Sequence, residues 1–348
     1  MSLDLRIVLS LAFLLGLLVP FVVDARGGTY GRVATATPLS PSDLLGGTAT
    51  TAIDQALERE SDFMRRLRPA WNELMARAFR ETPSRVLAEP GGWFFYAPSM
   101  VDLRHPECDQ TFDATLAMLD LLANRLRDTP AKLMVLVVPS KFRVYGENLS
   151  RARISDARRA VLPRVLAALS ERGIDAPDLL PGLQALARDS GPKPYPSTDS
   201  HLSRRGFEWL VTEYVAPRLG LAREAVRVRL DEVRAGVSIT HLGDLVELLG
   251  VTEDRAAAAG WLHRDRALAL DAPADRPGPG VLLLGDSFSV HMDRYLARVI
   301  QTTTGVAVDA RYADGRAQAE EERLFADYYQ MAPRLVLVVM TERNFANE

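Results

Sequence analysis

Cysteine is nearly missing from this 348-residue chain, in which Cys108 stands alone. A single thiol excludes an internal disulfide and a cysteine-based metal cluster, so stability must come from packing, and the thiol itself is expected to be buried and inert. A basic excess is missing as well. With 42 Lys and Arg against 45 Asp and Glu, the formal net charge is −3, which argues against nucleic acid as a partner. Histidine is scarce, and His105, His241, His263 and His291 fall at no metal-ligand spacing. No internal repeat divides the chain.

One long apolar run is present. Arg6 precedes Ile7 to Val23, a stretch about long enough to cross a bilayer at roughly 1.5 Å per residue. Two fates fit it: an uncleaved membrane anchor, which its length favours, and a signal peptide cut near Ala25. Both predict an exported body, because Arg6 favours a cytoplasmic amino terminus. Residues 1–26 therefore read as anchor or signal segment. Residues 27–51, rich in Gly, Thr, Pro and Ser, read as a linker without a fold of its own. The body follows over residues 52–348. It begins with Phe63, Leu67, Trp71, Leu74 and Met75 at helical spacing, which predicts an amphipathic helix over 52–79, broken or kinked near Pro69.

Beyond it, strand and helix patterns alternate. Gly92 to Tyr96 reads as a short aromatic strand, with its aromatics assigned to the core, and Thr111 to Arg127 as a helix. Leu133 to Val138 is a continuous apolar run of the kind that is buried on both faces of a parallel sheet. A helix over Asp156–Arg172 ends at Gly173, a strand is expected over Ile174–Leu179, and Val281–Leu284 and Leu335–Met340 complete the set. The pattern is that of one three-layer α/β domain with a mainly parallel sheet.

Two short motifs carry chemistry. Val281 to Leu284 runs into Gly285-Asp286-Ser287 and then a helical segment. A strand that stops at a glycine and turns into a helix presents a serine at the helix start, with backbone N–H groups free to face a developing oxyanion. The plainer reading is that Asp286 or Ser287 only caps that helix. Upstream, Asp199 and His201 lie two residues apart, so in extended chain they project to one side while Ser200 faces the other. The carboxylate can then hold Nδ1 of the imidazole and leave Nε2 aimed at a serine hydroxyl. Ser203 is placed to cap the helix that follows. Lys141, Arg143 and Tyr145 sit just past a strand's C-terminal end, where open α/β sheets place ligands, and are candidates for substrate contact or for support of the site wall. His291, one helical turn beyond Ser287, is a weaker alternative base.

Several separate blocks resemble the AlgJ/AlgX family of polysaccharide O-acetyltransferases, whose catalytic domain is SGNH-hydrolase-like. They are Gly92-Trp93-Phe94-Phe95-Tyr96, Val138-Pro139-Ser140-Lys141 with Tyr145, Thr198-Asp199-Ser200-His201, Gly285-Asp286-Ser287-Phe288-Ser289 and Thr341-Glu342-Arg343. Gly243-Asp244-Leu245 also resembles a family segment. The resemblance runs from about Gly91 to the end of the chain. It implies the family's permuted order, with the Asp-x-His pair before the serine, and it implies Ser287 as nucleophile, His201 as base and Asp199 as its orienter. Leu202 stands where the family usually has an aromatic residue, and Phe207 where it has a small one. For the oxyanion, the Ser287 N–H is the donor to name, with Asp286 and Asn344 as weaker candidates at the site.

The resemblance further implies acetyl transfer to hydroxyls of an exported, alginate-like polysaccharide in the periplasm. The acetyl donor would be a membrane-bound O-acyltransferase, and no metal or cofactor would be needed. A carbohydrate esterase with the same three residues, or a non-catalytic glycan-binding scaffold, would share the fold.

Overall fold

A computed structural model describes residues 18–37, 48–100, 107–150, 152–268, 280–312 and 333–345. His105 and the side chain of Cys108 lie outside the described residues, as does most of the Ile7–Val23 run. Among the described residues no helix is long and apolar enough to cross a membrane.

The chain divides into two compact units, residues 1–79 with 249–255, and residues 80–248 with 256–348. In the first, the stretch expected to be linker carries a helix over Thr29–Ala36. Its start is tied down by polar contacts: Thr29 Oγ1 donates to Asp24 at 3.2 Å, and Arg32 reaches the Glu60 carboxylate at 3.1 Å. The amphipathic segment is two helices, Thr48–Glu60 and Asp62–Leu74. The break falls at Ser61 rather than at Pro69. Ser61 Oγ accepts from the Met64 N–H as an N-cap and donates to the Asp24 carboxylate, whereas Pro69 is carried inside the second helix.

In the larger unit, β1 (Val86–Glu89) and β2 (Trp93–Tyr96) pair as an antiparallel hairpin. The main sheet holds β3 (Lys132–Val138), β6 (Val281–Gly285), β7 (Val308–Tyr312) and β8 (Leu335–Thr341) in the order β3-β8-β6-β7, all parallel. A second antiparallel pair joins β4 (Arg234–Leu242) to β5 (Leu262–Leu268). The strand expected over Ile174–Leu179 is reduced to a single bridge between Asp175 and Met134. Pro177 has no N–H to offer a ladder, and a helix begins at Leu180.

Alternate residues of the main sheet enter two different cores, as the unbroken apolar runs require. Met134, Leu136, Val138, Leu283, Leu337 and Val339 join Phe207, Phe288 and Leu296 on one face. Val135, Val137, Leu282, Leu284, Val336 and Val338 face Leu116, Leu119, Val161 and Val165 on the other. The second core is covered by α1 (Glu107–Leu126) and α2 (Asp156–Glu171), the first by α3 (Arg204–Leu210) and α4 (Ser287–Thr304). This is the three-layer α/β architecture with a parallel central sheet that the sequence pattern predicts. Leu202 and Phe207, the two departures from the family pattern, are both fully buried in the first core.

Candidate active site

The turn after β6 is set by close packing. Gly285 lies at φ 154°, and a Cβ there would stand 1.8 Å from the Val339 carbonyl oxygen, so only glycine lets β6 finish against β8. Asp286 follows as the N-cap of α4, its Oδ1 accepting from the Phe288 N–H at 2.9 Å. Its Oδ2 accepts from the Thr341 N–H at 2.8 Å, the Thr341 hydroxyl at 3.1 Å and the Asn344 amide at 2.9 Å. One carboxylate thus caps the helix and ties it to the end of β8. Asp286 and Asn344, expected as weak oxyanion or substrate contacts, bond to each other at this junction.

Ser287 is the first residue of α4 and is partly exposed. Its backbone N–H is one of the first-turn donors that helix geometry leaves without an intrahelical acceptor. Its Oγ lies 2.9 Å from His201 Nε2. His201 Nδ1 lies 2.9 Å from Asp199 Oδ1, which also accepts from the His201 N–H at 2.8 Å. A pair two residues apart and a serine 86 positions further on therefore form one hydrogen-bonded line, with Asp199 and His201 buried and the serine at the surface end.

A second carboxylate stands beside the first. Asp244 accepts from the Ser200 N–H at 2.6 Å and the Ser200 hydroxyl at 2.5 Å, lies 3.5 Å from His201 Nδ1, and donates its own N–H to Asp199 Oδ2 at 3.3 Å. Gly243 makes the approach possible, since a Cβ there would sit 2.1 Å from the Thr198 carbonyl oxygen. Burial, and next the charge of Asp199, push the Asp244 carboxyl up to about 6. For Asp199, burial opposes ionisation but is outweighed by the hydrogen bond and charge of His201, so its pKa falls below the usual carboxylate range. Burial likewise acts to lower the His201 pKa, yet the Asp199 hydrogen bond, then the charges of Asp199 and Asp244, raise it above that of a free imidazole.

Lys141 supports this loop from below. Its buried Nζ donates to the carbonyl oxygens of Asp199 at 2.9 Å and Phe94 at 2.8 Å, and lies 5.3 Å and 5.4 Å from the ring centres of Trp93 and Phe95. Burial pulls its pKa down to about 7 against the opposing charges of Asp199 and Asp244. Arg143 is also inward-facing, with Nε 2.5 Å from Glu342 Oε2 and Nη2 donating to the Arg158 carbonyl at 2.7 Å. Tyr145 packs its ring 4.5 Å from Trp93. Of the three residues expected to contact substrate or support the wall, Lys141 holds the wall, Tyr145 is in the core, and Arg143 pairs with Glu342. A narrow cavity of about 20 Å³, room for a water-sized group, opens between Lys141, Ser200, Phe288, Thr341 and Arg343. Arg343 projects over the Tyr96 ring at 5.0 Å.

Asp199, His201 and His291 bring three potential metal-binding atoms within 4.8 Å of one another. The two imidazoles, however, stack in nearly parallel planes 4.0 Å apart. Their in-plane lone pairs cannot converge on one ion at the ~2.1 Å that a His–metal bond needs. The cluster as arranged fits proton transfer and not metal binding.

A family model described as "SGNH hydrolase-like domain, acetyltransferase AlgX" matches residues 86–339. The chain belongs to this family. Among curated proteins it resembles the "Probable alginate O-acetylase AlgJ" of Pseudomonas aeruginosa, at 29% identity over 211 residues, covering 59% of this chain and 51% of that protein. The protein of the same name in Azotobacter vinelandii is 22% identical over 319 residues, covering 86% of this chain and 80% of that one. The chain spans about half the length of the first of these relatives. Among solved structures, the O-acetyltransferase domain of Pseudomonas putida AlgJ superposes with a TM-score of 0.55 at 20% identity, over 75% of this chain and 91% of that domain, which establishes the shared fold. Within the AlgX-like domain, the contribution of Asp244 is one that residue spacing does not reveal. The Gly243-Asp244 pair was visible as a family-like block, but no local pattern tells that its loop returns to His201.

Proposed function

We propose that this protein is an O-acetyltransferase that moves acetyl groups through a Ser287 acyl-enzyme onto hydroxyls of an exported, alginate-type polysaccharide. The observation that carries this is the line from Asp199 through His201 to Ser287 Oγ, with both hydrogen-bond distances at 2.9 Å. Membership of the AlgX acetyltransferase family supports acetyl as the group transferred. The name of the AlgJ relatives supports alginate as the acceptor type. The Asp199–His201 pair also precedes Ser287 in the chain, the permuted order of the family resemblance.

In the first step Ser287 Oγ attacks the donor's acetyl carbon while its proton passes to His201 Nε2, which returns it to the departing donor oxygen. In the second, an acceptor hydroxyl gives its proton to the same nitrogen and its oxygen attacks the acetyl carbon, releasing Ser287 with the proton restored. The Ser287 N–H is the oxyanion donor assigned here, with the Arg343 guanidinium adding positive charge at the neighbouring cavity. A membrane-bound O-acyltransferase is the proposed acetyl source, and the periplasm the proposed location, with residues 7–23 as tether or, after cleavage near Ala25, a free body. Cell fractionation separates those two fates.

The test is to incubate the full chain with a chromogenic acetyl ester, with and without a polysaccharide acceptor, beside Ser287→Ala. Ester turnover that falls at least about a thousandfold in the variant, with acetyl appearing on the polysaccharide, is expected. Ester release without sugar acetylation identifies an esterase. Equal turnover in the variant removes Ser287 from the chemistry, and no turnover in either protein leaves a glycan-binding scaffold.

A further inference from the structure

In the smaller unit the helix Asp62–Leu74 buries none of its thirteen residues. At about 100° per residue, Phe63, Met64, Leu67, Trp71 and Leu74 fall on one face about 100° wide. Met64, Leu67, Trp71 and Leu74 are 36%, 42%, 53% and 50% exposed, so this apolar face is open to solvent. The opposite side is the one that packs within the unit: Asn72 donates to the Leu249 carbonyl at 2.5 Å, and Glu73 pairs with Arg255 at 2.8 Å. Arg66 and Arg68 stand at the two edges of the apolar face.

Residues 62–80 hold Arg65, Arg66, Arg68, Arg77 and Arg80 against Asp62 and Glu73, a positive stretch in a chain whose net charge is −3. The helix also starts beside the end of the Ile7–Val23 run. Asp24 follows that run and accepts from the Ser61 hydroxyl at 2.8 Å and from the Phe63 N–H at 3.0 Å. Leu18, Val19, Phe21 and Val22 are exposed too. One polar junction therefore joins two exposed apolar surfaces, the second of them edged with arginines.

We propose that this helix docks on the surface of an anionic lipid bilayer, with Leu67, Trp71 and Leu74 among the acyl chains and Arg66 and Arg68 at the level of the phosphates. Thirteen residues span about 20 Å, less than the roughly 30 Å of a hydrocarbon core, so the helix lies along the membrane and does not cross it. A tryptophan ring suits the headgroup level, and the excess of arginine suits anionic lipid, which a neutral apolar partner would leave unmatched. Residues 7–23 as a tether would hold one end of the chain at a membrane; docking fixes in addition which side of the smaller unit faces the lipid. Docking of this kind is independent of the reaction at Ser287.

The experiment places the full chain on vesicles of phosphatidylglycerol and phosphatidylcholine whose acyl chains are brominated near the headgroup, and reads the quenching of tryptophan fluorescence. Trp71 is exposed, whereas Trp93 and Trp209 are half-buried and Trp261 is buried. Quenching is expected in the wild type, should be lost in Trp71→Phe, and should weaken at high salt or when phosphatidylglycerol is left out. Leu67→Glu/Leu74→Glu should lose it as well, with unchanged thermal unfolding as the control for folding. Should that double variant unfold, the difference between the wild type and Trp71→Phe decides. Sedimentation with the vesicles separates docking from tethering: a variant that still sediments but is no longer quenched keeps the tether and has lost the docked helix. A wild-type Trp71 left unquenched overturns the proposal, as does quenching that is undiminished in a folded Leu67→Glu/Leu74→Glu. Equal quenching without phosphatidylglycerol overturns the anionic preference. If Trp71 is unquenched and the protein dimerises through Leu67 and Leu74 in lipid-free solution, the face is an interface between copies instead.

Discussion

His291 stacks face to face on His201, with ring centroids 4.0 Å apart and planes within 10°. His291 lies one turn along α4 from Ser287, and its Nε2 has no hydrogen-bond partner among the described residues. Burial, and next the neighbouring His201, push its pKa down to about 4, so at neutral pH it is an uncharged plate against the His201 ring. His291→Phe keeps a flat ring and loses only a group that does not titrate in the working range. Its pH–rate profile should match the wild type, whereas His291→Ala should lower kcat at every pH by letting the His201 ring tilt. A profile that loses its acid limb in His291→Phe would make His291 the base instead.

The activity of the wild type should rise with pH. The base must be neutral to accept the Ser287 proton, and Asp199 and Asp244 hold the His201 pKa above the ordinary imidazole value of about 6.5, against burial and the positive charge of Arg343. Half-maximal ester turnover is therefore expected above that value. Asp199→Asn should cost about 10⁴-fold in kcat, since the neutral amide no longer fixes the tautomer. The depressed Asp199 carboxyl stabilises the fold above its unfolded pKa of about 3.9, and this contribution disappears as pH falls through the folded value. Denaturation midpoints of wild type and Asp199→Asn should accordingly converge on acidification.

Asp244→Asn removes one of the two negative charges facing Nδ1 but leaves the Asp199 hydrogen bond in place. The His201 pKa should fall, moving the acid limb of the rate profile to lower pH. The plateau should drop far less than in Asp199→Asn. An unmoved limb would show that Asp244 serves only to hold Ser200.

Gly285→Ala is expected to cost at least about 3 kcal/mol, because the new Cβ meets the Val339 carbonyl and the residue must keep φ 154°. Urea denaturation reads this directly, and near-wild-type stability would mean that the β6 turn can shift away from β8.

The unbroken apolar runs at Leu133–Val138, Val281–Leu284 and Leu335–Met340 were enough to find three of the four parallel strands, because burial on both faces leaves no polar position to interrupt them, whereas β7 is only partly buried, carries Asp309 and Arg311, and offers no such run. The helix breaks at Ser61 and runs on through Pro69. Proline is the stronger local signal, but Ser61 gains its capping role from Asp24, a residue 37 positions away. The segment near Ile174 fell short of a strand because only Asp175 reaches Met134.

Sequence alone determined which three side chains could make a serine–histidine–aspartate line, since a two-residue spacing puts Asp199 and His201 on one side and Gly285 marks the turn that exposes Ser287. It could not determine that they meet. Ser287 lies 86 positions from His201, and only the folding of β6 against β8 and of the Gly243–Asp244 loop against Thr198 brings them to 2.9 Å. The same holds for the charges. Lys141 reads in sequence as either a substrate contact or a support of the site wall, and becomes a buried strut because tertiary packing offers its ammonium two carbonyl oxygens and two aromatic faces. Local periodicity fixes which way a side chain points along its own strand or helix; what it meets there depends on contacts that loop closure, and not neighbouring sequence, supplies.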